Sequence, residues 1–232
     1  MKESKYKLTD EYVVINGKIL YRIEALKDFG NVKKGDRGGF IERESNLSQD
    51  GDCWVYNSAK VYGGATIRDY AMVRHNAEVS GEAEVVDNSK VYDEAKVSGE
   101  ALVSGSAEIS GNAQVRDRAE VTDNARVHGY STVLGNARIM FDARVCDRAE
   151  VSGDATVSGN AEVSGDATVS GNAEVRDDAK ICDGAVVNGD AIVYENAIVR
   201  DNAEVSGSIK VHGSAVVRGD ARIYGEAIIY SL

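Results

Sequence analysis

Every sixth residue from Val55 to Ile229 is Val or Ile: thirty consecutive slots, twenty-four Val and six Ile, with no break in register. Two residues before each aliphatic, from Ala59 to Ala227, runs a second column that is Ala at twenty-six of twenty-nine places, with Ser89, Ser131 and Ile209 as the exceptions. Self-similarity at a fixed short period is the signature of a solenoid. A helix would need apolar spacings of three and four in alternation, which a period of six does not supply. Val stiffens the backbone at its β-carbon and favours strands. Ala161 and Val163 lie two apart, so in an extended segment they point to one side while Glu162 points to the other. Three residues such as Ser164-Gly165-Asp166 then follow; the middle one is Gly in sixteen of twenty-nine turns and Asp in nine. Both suit corners with positive φ. Each hexad is therefore a short strand plus a corner.

Hexads of this form resemble the left-handed parallel β-helix of hexapeptide-repeat proteins. The resemblance implies an all-β fold, a single parallel β-helix with three hexads to each triangular coil of 18 residues, and so ten coils from the thirty hexads. Stacked about 4.8 Å apart they would form a prism about 48 Å long. The left hand comes from the resemblance alone, since the general rule for parallel crossovers favours the right. One fully buried Val contributes about 1.5–3 kcal/mol. A hexad cannot bury its inner face alone, so neighbouring coils share the stability and the two ends need caps.

At 232 residues and 43% hydrophobic content, the chain has room for one sizeable domain and a small appendage. The formal charge of −11 argues against direct binding of nucleic-acid phosphates. No stretch has the length of a membrane span. Met1-Lys2-Glu3-Ser4-Lys5-Tyr6 lacks an apolar signal region, so the expectation is a cytoplasmic protein. The absence of proline suits a fully hydrogen-bonded stack.

Residues 1–52 do not repeat and read as an N-terminal β cap, followed by the β-helix over 53–232. Tyr12-Val13-Val14-Ile15 and Ile19-Leu20-Tyr21-Arg22-Ile23 flank Asn16-Gly17-Lys18, a hairpin signal. Gly35-Asp36-Arg37-Gly38-Gly39 reads as a tight loop before Phe40-Ile41. Asp28-Phe29-Gly30-Asn31-Val32-Lys33-Lys34-Gly35, then Gly38-Gly39-Phe40-Ile41, then Leu47-Ser48-Gln49-Asp50-Gly51-Asp52-Cys53-Trp54-Val55-Tyr56 resemble the entry segment of YdcK-like proteins. These are bacterial and phage-borne hexapeptide-repeat proteins labelled acyltransferases from their fold. At that junction Cys53 and Trp54 are expected to seal the cap against the first coil.

An acyltransferase of the hexapeptide class, as the resemblance implies it, uses a histidine base, a loop interrupting the coils and a trimer whose clefts hold the acyl donor. The histidines here are His75, His128 and His212. His75 and His128 fall at one corner, three coils or about 14 Å apart, and His212 at another. Nothing interrupts the hexads to wall a cleft. No catalytic, cofactor or metal residue is assigned on this reading, and His128 and His75 remain the alternative bases. Cys146 and Cys182 share a column with Ser164 between them, two coils or about 9.6 Å apart, too far for a disulfide. Corner residues such as Asp154, Asn160, Asp166, Asn172, Asp177 and Asp178 read as turn chemistry rather than calcium ligands.

The outward slots are mostly charged until the last coils, where Val186, Ile192, Ile198, Val216 and Ile228 appear. With Ile229 and Tyr230 in the last strand and no capping segment after them, the expectation is self-association of this end as a two-fold homodimer. Three functions remain in view: a non-enzymatic β-helical scaffold or protein-binding module (a phage- or bacterium-encoded inhibitor or assembly factor), a histidine-dependent acyltransferase, and an acidic nucleic-acid mimic that sequesters a basic partner.

Overall fold

A computed structural model describes residues 3–231. Met1 and Lys2, where the N-terminal expectation begins, and Leu232 lie outside the described residues. Strands β1 (Tyr6–Ile15), β2 (Lys18–Ala25) and β3 (Arg37–Ile41) form the cap, and the thirty hexads supply β4 (Trp54–Val55) through β33 (Ile228–Ser231). Every hexad strand lies beside its counterpart three hexads away, giving three parallel stacks of ten. Glu162 and Val163 stand between Arg144-Val145 below and Lys180-Ile181 above, in register. The ladder bonds are regular, with Arg144 N donating to Ala161 O and Cys146 N to Val163 O, both at 2.9 Å. The inner Val/Ile file is fully shielded from Val55 to Val211, and the Ala column fills the narrow corners beside it. The chain is thus an all-β parallel solenoid, as the hexad period requires. Among the described residues no helix is long and apolar enough to cross a membrane.

The corners show why Gly and Asp alternate there. All twenty-nine corner residues, from Asn57 to Gly225, have positive φ. Gly adopts that conformation without a Cβ clash. Asp brings something more. Each of the nine corner aspartates accepts a hydrogen bond from the corner N–H one coil above, for example Asp117 from Gly135 at 3.1 Å and Asp147 from Gly165 at 3.0 Å. Asp201 does the same for Gly219 at 2.8 Å. Asn side chains one residue later bind carboxylates in the next coil, as Asn136 to Asp154 at 2.8 Å and Asn160 to Asp178 at 3.0 Å. These polar ladders join coil to coil at the edges. Asp117→Ala retains the left-handed backbone but loses the hydrogen bond, and is expected to destabilise by about 1–2 kcal/mol. Asp117→Gly loses the bond while relieving the strain, so its melting temperature stays close to wild type. A melting series over the three chains checks that order.

The hairpin forms as its sequence suggests, but Arg37-Gly38-Gly39, expected as part of a tight loop, lie in strand β3, where Arg37 pairs with Glu24. Ile15 pairs with Lys18 around Asn16 (φ 50°) and Gly17 (φ 77°), the two positive-φ residues of a tight hairpin. A further difference lies downstream. Phe40-Ile41 pairs in parallel with Lys60-Val61, and Leu47 bridges to Ile67. The cap therefore enters the solenoid and begins an incomplete coil before Trp54. Ile41 and Leu47 are six apart, but they lie twenty residues before their partners rather than eighteen. Two extra residues before Val55 conceal that earlier part of the repeat. Glu42 joins cap to coil: it accepts Lys18 Nζ at 2.9 and 3.0 Å and the Gly63 N–H at 2.6 Å. Lys18 and that amide hold its carboxyl below the usual glutamate range. A depressed folded pKa gives stability that is complete above the unfolded value, about 4.3, and lost as pH falls through the folded one. Glu42→Gln is therefore expected to melt lower than wild type at neutral pH, with the gap closing in acid.

Trp54 occupies an outward slot, yet it is buried because the cap folds over it. Its ring meets Tyr6 and Phe29 edge-on, at centroid distances of 6.1 and 5.3 Å. This is the seal anticipated for the junction, and Cys53 beside it is fully buried.

Candidate functional site

The faces between corners are flat ladders of outward side chains. Lys90 Nζ lies 2.8 Å from Glu108 one coil above, which lowers the Glu108 carboxyl pKa. Such exposed pairs contribute a few tenths of a kcal/mol. On the same sheet the next step sets Glu108 beside Arg126, the one after it sets Arg126 directly opposite Arg144, and Glu162 follows Arg144. Neither arginine has an ion-pair partner among the described residues. This is a like-charge juxtaposition, flanked on both sides by a glutamate.

The two candidate histidines differ in surroundings. His75 occupies a corner with φ 60°, its Nδ1 3.0 Å from Asp93 Oδ1 and its ring edge-on to Tyr92. Arg74 packs over that tyrosine at 5.0 Å. His128 is exposed, and its imidazole has no partner among the described residues. Counting eighteens places Cys146 one coil above His128 in the same column, with Ser164 and Cys182 beyond. The Cys146 thiol is pushed up to about 11 by burial and by the adjacent Asp147. A thiol so disposed is protonated at neutral pH and is a poor nucleophile. Beside it runs a shallow groove of ≈ 480 Å³ lined by Tyr130, Asp147, Arg148, Gly165 and Asp166. Its one cation, Arg148, is already held by Asp166 at 2.6 and 2.8 Å.

His212 has a feature that sequence reasoning missed. Its ring is stacked between Tyr194 at 4.8 Å and Tyr230 at 5.8 Å, and Arg176 lies over Tyr194 at 4.4 Å. Residues 176, 194, 212 and 230 are each eighteen apart, so the signal was present in the numbering. Glu195 Oε2 is 3.5 Å from His212 Nδ1. The rings cover one another, which makes this a structural ladder closing the last coils.

The apolar outward residues do not gather into one patch. Val186, Ile192 and Ile198 belong to three different sheets, and Ile228 continues the Ile192 sheet two coils on. Only Ile198 and Val216 are direct ladder neighbours. Val216, Ile228 and Tyr230 are exposed, and Ile229 is half-buried. Among the described residues no three His, Cys, Asp or Glu side chains come together as a metal site.

A stretch of 43 residues is 42% identical to a protein of Escherichia coli (strain K12) described as "Uncharacterized acetyltransferase YdcK". The parallel hexad coils are consistent with that similarity. The chain is a hexapeptide-repeat β-solenoid similar to YdcK. The matched stretch covers 18% of this chain and 13% of that protein's length. No family model matches the chain. The likeness fits the hexapeptide-repeat architecture, and within it His75 and His128 stand at exposed corners while His212 is stacked between two tyrosines.

Proposed function

We propose that this solenoid is a non-enzymatic protein-binding rod, acting as a scaffold, inhibitor or assembly factor through its flat faces. One observation carries the reading: Arg126 and Arg144 stand opposite each other on one sheet and neither closes an ion pair with its outer ladder neighbour, Glu108 or Glu162. A partner bringing carboxylates to that face would neutralise both. Affinity capture from the native host by wild type and by an Arg126→Glu/Arg144→Glu variant tests it. A partner whose binding falls at least tenfold in the variant supports the rod. A basic DNA-binding partner released by moderate salt and retained by the variant would favour the acidic mimic instead.

The second reading, a histidine-dependent acyltransferase, is favoured by the His75–Asp93 pair, since a carboxylate on Nδ1 leaves Nε2 free as a base. The name of the E. coli relative points the same way. Acetyl transfer from acetyl-coenzyme A, lost in His75→Ala or His128→Ala, would replace the first reading with this one.

The rod is further proposed to pair with a second copy through its last coils, where Ile198 and Val216 make one apolar step and Ile228 and Tyr230 are exposed. Sedimentation at tens of micromolar is expected to show a dimer. A monomer there contradicts the pairing.

A further inference from the structure

Lys5, the residue before β1, is buried to 1% exposure, and Cys53, at the entry to the first coil, to 0%. The lysine Nζ lies 3.0 Å from Cys53 O, 3.3 Å from Gly51 O, 3.4 Å from Asp50 O and 3.3 Å from Cys53 Sγ. The Phe29 ring closes the other side, 5.2 Å from the nitrogen. The remaining neighbours of the sulfur are the carbonyls of Ser48, Asp50 and Ile67 at 3.6–3.8 Å. Capping of the 50–53 carbonyls accounts for the position of the amine. It does not require a thiol as the fourth contact. Burial lowers the pKa of Lys5 and raises that of Cys53, and both shifts favour the neutral amine and thiol. The geometry sets two oxidisable heteroatoms 3.3 Å apart, both shielded from bulk water.

We propose that Lys5 and Cys53 are joined by a covalent Nζ–O–Sγ bridge when the protein meets dioxygen. The balance is R–NH2 + HS–R′ + O2 → R–NH–O–S–R′ + H2O. An N–O and an O–S bond form while one N–H, the S–H and the O–O bond break. Nitrogen and sulfur each give up two electrons, and dioxygen takes all four. One oxygen atom remains in the bridge, and the other leaves as water with the two displaced hydrogens. Thiol reductants reverse the link and restore both side chains. The bridge ties the start of the cap hairpin to the entry of the first coil, across 48 residues of chain, and so makes the attachment of the cap dependent on redox conditions.

The test uses the full chain, purified under argon and then exposed to air. Intact mass is expected to rise by about 14 Da, one oxygen gained and two hydrogens lost. Peptide mapping should then find the Lys5 peptide linked to the Cys53 peptide. Dithiothreitol should remove the gain, which separates the bridge from lysine methylation. Cys53→Ser and Lys5→Arg should not acquire it, and the bridged wild type should melt higher than the reduced form. The proposal is overturned if the air-exposed wild type carries both side chains unmodified. It is equally overturned if Cys53 carries one or two oxygens, about 16 or 32 Da, while Lys5 stays free. The wild-type map gives that answer whether or not the variants fold.

Discussion

Val145→Asp is expected to unfold the middle of the rod. Val145 is fully buried, with Val127 below it and Val163 above it in the inner file. A carboxyl there would face aliphatic and Ala side chains on every side, with no donor to receive it. Loss of the valine's burial removes about 1.5–3 kcal/mol, and an unpaired polar group adds further to the loss. Together they exceed about 4 kcal/mol, within the range reserved for core disruptions. A solenoid passes stability only between neighbouring coils, so the damage should be local. Hydrogen exchange is expected to show lost protection in the coils around 127–163, with protection kept towards each end. The buried carboxyl would be driven towards its neutral form, so the defect should ease in acid. A Val145→Asp chain that melts with wild type would mean the file is not the core.

The second large effect concerns the join between cap and rod. Trp54→Ala removes the ring that Tyr6 and Phe29 pack against. Truncating a buried Trp typically destabilises by about 3–5 kcal/mol. The loss should appear first in the cap: amides of β1 and β2 exchange faster while those beyond the first coils are unchanged. Uniform loss of protection along the rod would show instead that the cap and all coils unfold as one unit.

The inner file and the hairpin could be read from the sequence because each depends on local chemistry at fixed spacing. Val and Ala at their places in the hexad dictate which side is buried, and Asn16-Gly17 dictates its own turn. The incomplete coil at Ile41 and Leu47 was hidden because two additional residues break the count before Val55. The corner aspartates were recognisable as turn formers, but their bonds to the coil above depend on three-dimensional stacking. Arithmetic in eighteens relates His75 to Asp93, aligns Tyr194 with His212 and Tyr230, and spreads Val186, Ile192 and Ile198 over three sheets. The period of six alone does not show those relations. Lys5 and Cys53 meet through the non-repeating cap, where no periodicity guides the count.

Distances between spin labels measure the coil repeat most directly. Labels at Glu84 and Arg138, and at Glu84 and Lys210, share one sheet in the order of its strands. On a background with Cys146 and Cys182 changed to serine, double electron–electron resonance should give backbone separations near 14 Å for three coils and about 34 Å for seven. Separations that grow by about 4.8 Å for each eighteen residues are the predicted result. Distances that do not scale with the number of coils would contradict the solenoid and every inference built on it.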